Sequence, residues 1–224
     1  MRKILNLLIS IFRSRRVFNK KNRVIDISPV LTAHAKYWLI NDELHRTDGP
    51  AVEYINGDKE WYINGLKHRE DGPAVEYNSG SKEWYINGLK HRTDGPAVEY
   101  SSGSKEWWIN GLKHREDGPA VEYSDGYKEW WINGLKHRTD GPAVEYNNGS
   151  KYWYINGKRH RTDGPAFESI YTKQWFINDK RHREDGPAIE NSHGKYWFIN
   201  DIEYSEDQYH QEITKIKLKR LVEL

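Results

Sequence analysis

The chain has 224 residues and no cysteine, and Leu, Ile, Val and Phe make up only about one-fifth of it. That composition excludes a disulfide scaffold, a thiolate metal site, a cysteine nucleophile and a single thick aliphatic core. Ten Trp and fifteen Tyr supply large buriable surfaces instead, so an ordered chain is expected. The net charge of +2 is unevenly spread: residues 1–33 carry eight Lys or Arg against one Asp, whereas residues 34–200 carry 23 basic against 26 acidic residues. A slightly acidic body makes nucleic acid an unexpected partner, and the lack of cysteine suits a reducing, intracellular compartment.

Residues 1–16, MRKILNLLISIFRSRR, place Ile4, Leu5, Leu8, Ile11 and Phe12 on one helical arc and Arg2, Lys3 and Arg13 on the opposite one. This predicts a short basic amphipathic helix. Its apolar run from Ile4 to Phe12 is too short to span a bilayer. The expected role is contact with an anionic membrane surface through Ile4, Leu5, Leu8, Ile11, Phe12, Arg13, Arg15 and Arg16. A cap over the first repeat and a basic tail are the alternatives. Residues 17–35 read as a linker.

From residue 36 to 207 the chain is a repeat. Trp recurs at 38, 61, 84, 107, 130, 153, 175 and 197, five times at a spacing of 23 and then twice at 22. One full copy, KEWYINGLKHREDGPAVEYNSGS, runs from Lys59 to Ser81. Seven full units are followed by a degenerate one that loses Gly-Pro-Ala, as terminal caps of repeat arrays do. Within a unit the apolar period is two, which predicts strands. Asn64-Gly65 predicts a tight hairpin turn, Asp71-Gly72-Pro73 a second turn, and Ala74 to Tyr77 the next strand. Alternation places Trp61 and Ile63 on one face and Tyr62 on the other, so two aromatic rows are expected along the array. Residues 208–224 form a C-terminal cap. There Tyr209, Ile213, Ile216 and Leu224 share a helical face, although Lys215 to Lys219 also reads as a lysine-guarded edge strand.

The best catalytic candidate is His68 with Asp71, but it recurs in every full unit. An active site needs unequal environments that separate the pKa values of its groups. The expected reading is structural, with Asp71 accepting turn N–H groups and with Arg69 and His68 paired to carboxylates. No enzyme activity, cofactor or metal site is expected, because histidines on successive units would lie about 9–10 Å apart, too far to share a zinc ion. The outer aromatic row, Tyr62, Tyr85, Trp108, Trp131, Tyr154, Phe176 and Phe198, is the candidate binding surface. It has two readings, a structural layer or a surface that takes sugars or cationic groups.

The period, the aromatic-led strands, the Asn-Gly turn and the nearby histidine, as in WYINGLKH (Trp61 to His68) and WYINGKRH (Trp153 to His160), resemble the MORN repeat. They resemble more closely its variant in bacterial YwqK-like antitoxins and in MORN-like proteins of large viruses and phages. One difference is Arg69, Arg92 and Arg115 where the MORN unit has Gly after His. The resemblance implies stacked β-hairpins that act as scaffolds, protein-binding modules or membrane-associated modules. The expected fold is all-β: an elongated array of stacked hairpin repeats, a single-layer sheet or flattened solenoid, with an N-terminal amphipathic helix. The expected function is a non-enzymatic scaffold or interaction module with a protein partner, intracellular and membrane-peripheral. A carbohydrate- or cation-binding repeat protein is the alternative.

Overall fold

A computed structural model describes residues 29–223. The helix expected over residues 1–16, its membrane-contact residues and Leu224 lie outside the described residues. The chain divides into two compact modules, one ending at Leu89 and one starting at Lys90.

Each repeat is built from four short strands. In the copy led by Trp61, Lys59–Glu60 and Tyr62–Ile63 are two parts of one extended run interrupted at Trp61. Asn64 and Gly65 have φ of 50° and 75°, the left-handed pair that a two-residue hairpin turn with right-handed twist requires. Leu66–Lys67 then returns antiparallel, with Leu66 opposite Ile63 and Lys67 opposite Tyr62. After an excursion through Asp71-Gly72-Pro73, Val75–Glu76 comes back beside Lys59–Glu60.

These strands form an all-antiparallel meander in each module. In the first, Val30–Leu31 pairs with Ala35–Tyr37, and the ladder continues through Val52–Tyr54, Lys59–Glu60, Val75–Glu76 and Lys82–Glu83. Among the described residues strand pairing therefore begins at Val30, within the segment read as linker. In the second, the ladder runs without a break from Val98–Glu99 to Gly194–Ile199. The fold is the all-β array of hairpin repeats expected from the period of 23.

Register explains the thin core. Val75 lies opposite Glu60 and Glu83, while Glu76 lies opposite Lys59 and Lys82. With alternation, one face carries Glu60, Tyr62, Val75 and Tyr77, and the other carries Lys59, Trp61, Ile63, Ala74 and Glu76. Each full repeat buries one alanine completely, and the first five bury one valine beside it, such as Ala120 and Val121, both 0% exposed; Phe167 and Ile189 take the valine's place in the last two and are only partly buried. Alanine and valine are each small enough for the large side chains of their own face to cover them. That is why so little aliphatic residue suffices.

The C-terminal cap is a helix, Glu206–Val222. Ser205 accepts the Gln208 backbone N–H, and the Gln208 side chain accepts the Ser205 backbone N–H. This reciprocal capping box fixes where the helix starts. Tyr209 and Ile213 pack with Ile199, against Trp197, Tyr204 and Ile216.

Candidate functional site

The residue that organises each repeat is the arginine after the histidine. Arg69 stacks on Trp61, its Cζ 4.1 Å from the ring centroid. Its Nε donates to Asp71 Oδ1 at 2.9 Å, and its Nη1 donates to the Pro73 carbonyl at 3.2 Å and to Glu76 Oε1 at 2.9 Å. A Cβ on Gly72 would lie 3.0 Å from the Arg69 Cζ, so a larger residue there would press on the guanidinium and make it give way. The same set recurs around Arg115, Arg138 and Arg183. The expected pairing of arginine with carboxylates is what the structure shows, with both partners in the same repeat.

Hydrogen bonds from Arg46, Arg69, Arg92, Arg115, Arg138 and Arg161 hold Asp48, Asp71, Asp94, Asp117, Asp140 and Asp163 below the ordinary aspartate value. A carboxylate whose pKa is depressed on folding adds stability that is complete above its unfolded pKa, near 3.9, and lost as pH falls through the lower folded value. The urea midpoint is therefore expected to hold down to about pH 5 and to fall progressively below about pH 4. A profile that stays flat to pH 2.5 would contradict the assignment.

The histidines make the expected carboxylate contact through Nε2, His68 at 3.7 Å from Glu70 Oε1 and His114 at 3.7 Å from Glu116 Oε1, and add a closer one that the sequence does not predict. His68 Nδ1 accepts the backbone N–H of Asn87 at 3.2 Å and lies 3.0 Å from Asn87 Oδ1, so it ties its own repeat to the next hairpin. His114 does the same with Asn133, and His160 with Asn178. The acceptor at Nδ1 is therefore committed to backbone rather than to a carboxylate. On the other ring nitrogen, His182 Nε2 lies 3.2 Å from Glu184 Oε1. Among the described residues no group of three or more His, Asp and Glu is placed to hold a metal.

The outer aromatic row is half-buried along its length, and Phe176 and Phe198 are 2% and 7% exposed. Four of its five polar groups are used within the repeat. Tyr62 and Tyr85 donate their hydroxyls to Glu60 and Glu83, at 2.9 and 2.6 Å, and Trp108 and Trp131 donate Nε1–H to Glu106 and Glu129, both at 2.9 Å. The ring faces are occupied as well: Lys113 lies 5.5 and 5.4 Å from the Trp108 and Trp131 centroids, Lys136 is 5.5 Å from Tyr154, and Arg159 is 3.9 Å from Phe176. Burial alone would raise the pKa of Glu129, but Lys136, Tyr127 and Trp131 together hold it below the ordinary value. Burial, and then the neighbouring Glu60, push Tyr54 up to about 12.

What the sequence reading missed lies on the opposite face. Between successive Asp-Gly-Pro turns of the second module are open clefts of about 610, 570 and 390 Å³. The 570 Å³ cleft is bounded by Arg92 to Pro96 and by Trp107, Ile109 and His114, and the others repeat that lining one or more units along. Their rims carry aspartates whose side chains are 79–84% exposed. The Trp and Ile row, on the face away from the outer aromatic row, forms these floors. A second feature, on the face of the outer aromatic row, is a tyrosine patch: Tyr127 packs between Tyr123 and Tyr146, at ring distances of 5.4 and 4.9 Å. The signal for it was present, because Tyr127 stands where other repeats have Ser81, Ser104 and Ser150.

The chain matches no protein-family model and no curated protein. No helix among the described residues is long and apolar enough to cross a membrane.

Proposed function

We propose that the chain is a non-enzymatic repeat scaffold of the MORN-like kind that binds a protein partner along the face carrying the clefts. The observation that supports this reading is recurrence. Clefts of the same lining recur at multiples of the repeat period, while the His-Arg-Asp groups that would do chemistry are tied alike into the fold in copy after copy. A surface of this kind specifies a shape and a spacing rather than a reaction. The apolar floors and exposed aspartate rims suit an extended partner segment with apolar side chains and flanking basic residues. Sugar or cation binding on the outer aromatic row has less support, since most of its donors and ring faces already have partners.

Thr93, Thr139 and Thr162 are exposed and line the clefts. Their position is glutamate in other repeats, as at Glu70 and Glu116, so the fold tolerates change there. A Thr93→Tyr, Thr139→Tyr, Thr162→Tyr variant fills the clefts without entering the core. In quantitative affinity capture from the native cell, proteins retained by the wild type are expected to be lost from this variant. Equal recovery would refute the reading. The basic N-terminal segment is proposed as a second, membrane-facing contact. The full chain is expected to float with anionic vesicles and a chain starting at Val24 is not; equal flotation would remove this contact.

A further inference from the structure

An array of like repeats gains a site of its own kind where one repeat departs from the rest, and here the departure falls in the turn Ser124-Asp125-Gly126-Tyr127. Asp125 stands where other repeats have Asn56, Ser79, Ser102 and Asn148, and Tyr127 stands where they have Asp58, Ser81, Ser104 and Ser150. Two positions of one turn differ together, one as a carboxylate and one as an aromatic ring. The turn itself is kept: Asp125 Oδ1 accepts the Tyr127 backbone N–H at 2.9 Å, as Asn148 Oδ1 accepts that of Ser150 at 2.9 Å. The surface around it is what changes.

In the preceding repeats the strand tyrosine donates its hydroxyl to the glutamate that follows, Tyr77 to Glu83 and Tyr100 to Glu106, both at 3.4 Å. In this repeat Tyr127 takes that acceptor, donating its own hydroxyl to Glu129 Oε1. The Tyr123 hydroxyl is left without a hydrogen-bond partner among the described residues. Tyr123 and Tyr146 flank Tyr127 and are 42% and 41% exposed. On the neighbouring aromatic row the rings carry the chain's own cations, Lys67 over Tyr85, Lys113 over Trp131 and Arg159 over Phe176. Among the described residues no lysine or arginine lies over Tyr123, Tyr127 or Tyr146.

The three rings, with Asp125, Glu129 and Asn147, line an open cleft of about 400 Å³. Its surroundings are negative. Lys136, 2.9 Å from Glu129, offsets that carboxylate, but neither Asp125 nor Glu106 has an ion pair among the described residues. Burial, and then Glu106, Glu129 and Asp125, push the Tyr123 hydroxyl above its ordinary pKa. Aromatic faces beside carboxylates attract a cation. A guanidinium suits this cleft better than an ammonium, because it lies flat on a ring while aiming several N–H donors at once. The acceptors on offer are Asp125 Oδ2, the Tyr123 hydroxyl and the Asn147 amide. The chain already packs a guanidinium in this way: Arg115 lies 3.9 Å from the Trp107 centroid while bonding Asp117 and Glu122, both at 2.8 Å.

We infer that this cleft binds the guanidinium of an arginine side chain carried by a partner protein, stacked on the tyrosine rings and paired with Asp125. The site lies wholly in the second module, on the face away from the Asp-Gly-Pro clefts, and does not depend on what those clefts bind.

The test is titration of the full, isotope-labelled chain with N-acetyl-arginine amide, followed by amide NMR. Saturable shifts at Asp125, Tyr127 and Asn147 are expected, with a Kd on the order of 1–10 mM. Arginine within a Gly-Gly-Arg-Gly-Gly peptide blocked at both ends is expected to bind at least as tightly. N-acetyl-citrulline amide, of the same shape without the charge, is expected to bind about tenfold more weakly or not at all. Asp125→Asn, which keeps the turn bond as Asn148 does, is expected to weaken arginine binding about three- to tenfold. Tyr127→Ser restores the residue of other repeats and is expected to abolish it. The absence of a saturable shift up to about 50 mM arginine amide overturns the inference, as does citrulline that binds equally or arginine binding that survives both substitutions. A peptide that binds more weakly than the single residue rejects a side chain as the source. If methyl glucoside shifts these amides and arginine does not, the cleft is a sugar site and the inference is likewise rejected.

Discussion

Tyr209→Ala is expected to destabilise the C-terminal end of the chain by about 3–5 kcal/mol, the range for removing a large buried aromatic side chain. Tyr209 is 2% exposed and sits with Ile199 and Ile213, which are 4% and 6% exposed. Its hydroxyl does a second job. It donates to the Arg183 carbonyl at 3.0 Å and accepts the Gly186 backbone N–H at 3.1 Å, reaching into the turn of the last Asp-Gly-Pro repeat. Tyr209→Phe keeps the ring but leaves both backbone groups without that partner, and is expected to lose about 1–3 kcal/mol. In a repeat chain stability is a sum over units and their neighbours, so the loss is expected as early unfolding of the final repeats. Urea denaturation followed by tryptophan fluorescence, with amide exchange over residues 183–213, reads both the size and the place. An alanine variant that loses less than about 1 kcal/mol would show that the helix does not cap the array. By contrast, Arg220 reaches Glu184 through two bonds of 2.7 and 2.8 Å, but its side chain is 62% exposed. Arg220→Ala is expected to change little, because an exposed pair is screened by solvent and must hold two long side chains in one geometry.

The repeat, the hairpins and the turns were legible because their causes are local. Asn64-Gly65 names a turn type, Pro73 fixes its own φ, and the tryptophan period needs only counting. The cap was half legible: Lys215 to Lys219 alternates as a strand would, and the decision rested on Ser205 with Gln208 and on the contacts of Tyr209 and Ile213. The arginine hub was not legible, although its residues were in view. The spacing of Arg69, Asp71 and Glu76 does not reveal that the guanidinium lies between Trp61 and Gly72. The clefts were hidden for another reason, since each is walled by turns from neighbouring repeats and belongs to no single segment. One pattern in the sequence gains its meaning only from the contacts. Gly157 packs beneath Leu135, whose Cδ2 would lie 3.3 Å from a Cβ there. Where the preceding repeat presents Lys158 or Lys180 instead, that glycine becomes Asp179 or Asp201, at φ of 67° in both. Both aspartates accept a backbone N–H from the preceding repeat, Arg159 at 3.0 Å and Arg181 at 2.8 Å. The exchange of glycine for aspartate is thus a change of neighbour, and the turn type stays the same.

The hub makes a second large prediction, a coupling between Arg138 and Gly141. Gly141 does not have a positive φ, so alanine there carries no left-handed strain. The added Cβ would instead meet the Arg138 Cζ at 2.8 Å. To make room, the guanidinium would have to leave the Trp130 ring, now 4.1 Å away, and its bonds to Asp140 at 2.9 Å and to Pro142 O and Glu145 at 3.2 Å. Arg138→Ala is expected to lose about 2–3 kcal/mol through the charged hydrogen bonds and the ring contact. Lysine is not expected to rescue it, lacking the planar fork that stacks and bonds at once. Gly141→Ala alone is expected to be destabilising, but in the Arg138→Ala background the obstruction is gone. There it is expected to be neutral or to stabilise by about 0.4–1 kcal/mol, by restricting the unfolded chain. The double-mutant cycle is therefore expected to show about 1–3 kcal/mol of coupling. Gly149 is the control: its φ is 83° and nothing lies within 4 Å of its would-be Cβ, so Gly149→Ala is expected to be destabilising through the backbone and to add independently to Arg138→Ala. If the Gly141 pair is also additive, the glycine of Asp-Gly-Pro serves the turn alone, and the arginine does not organise the repeat.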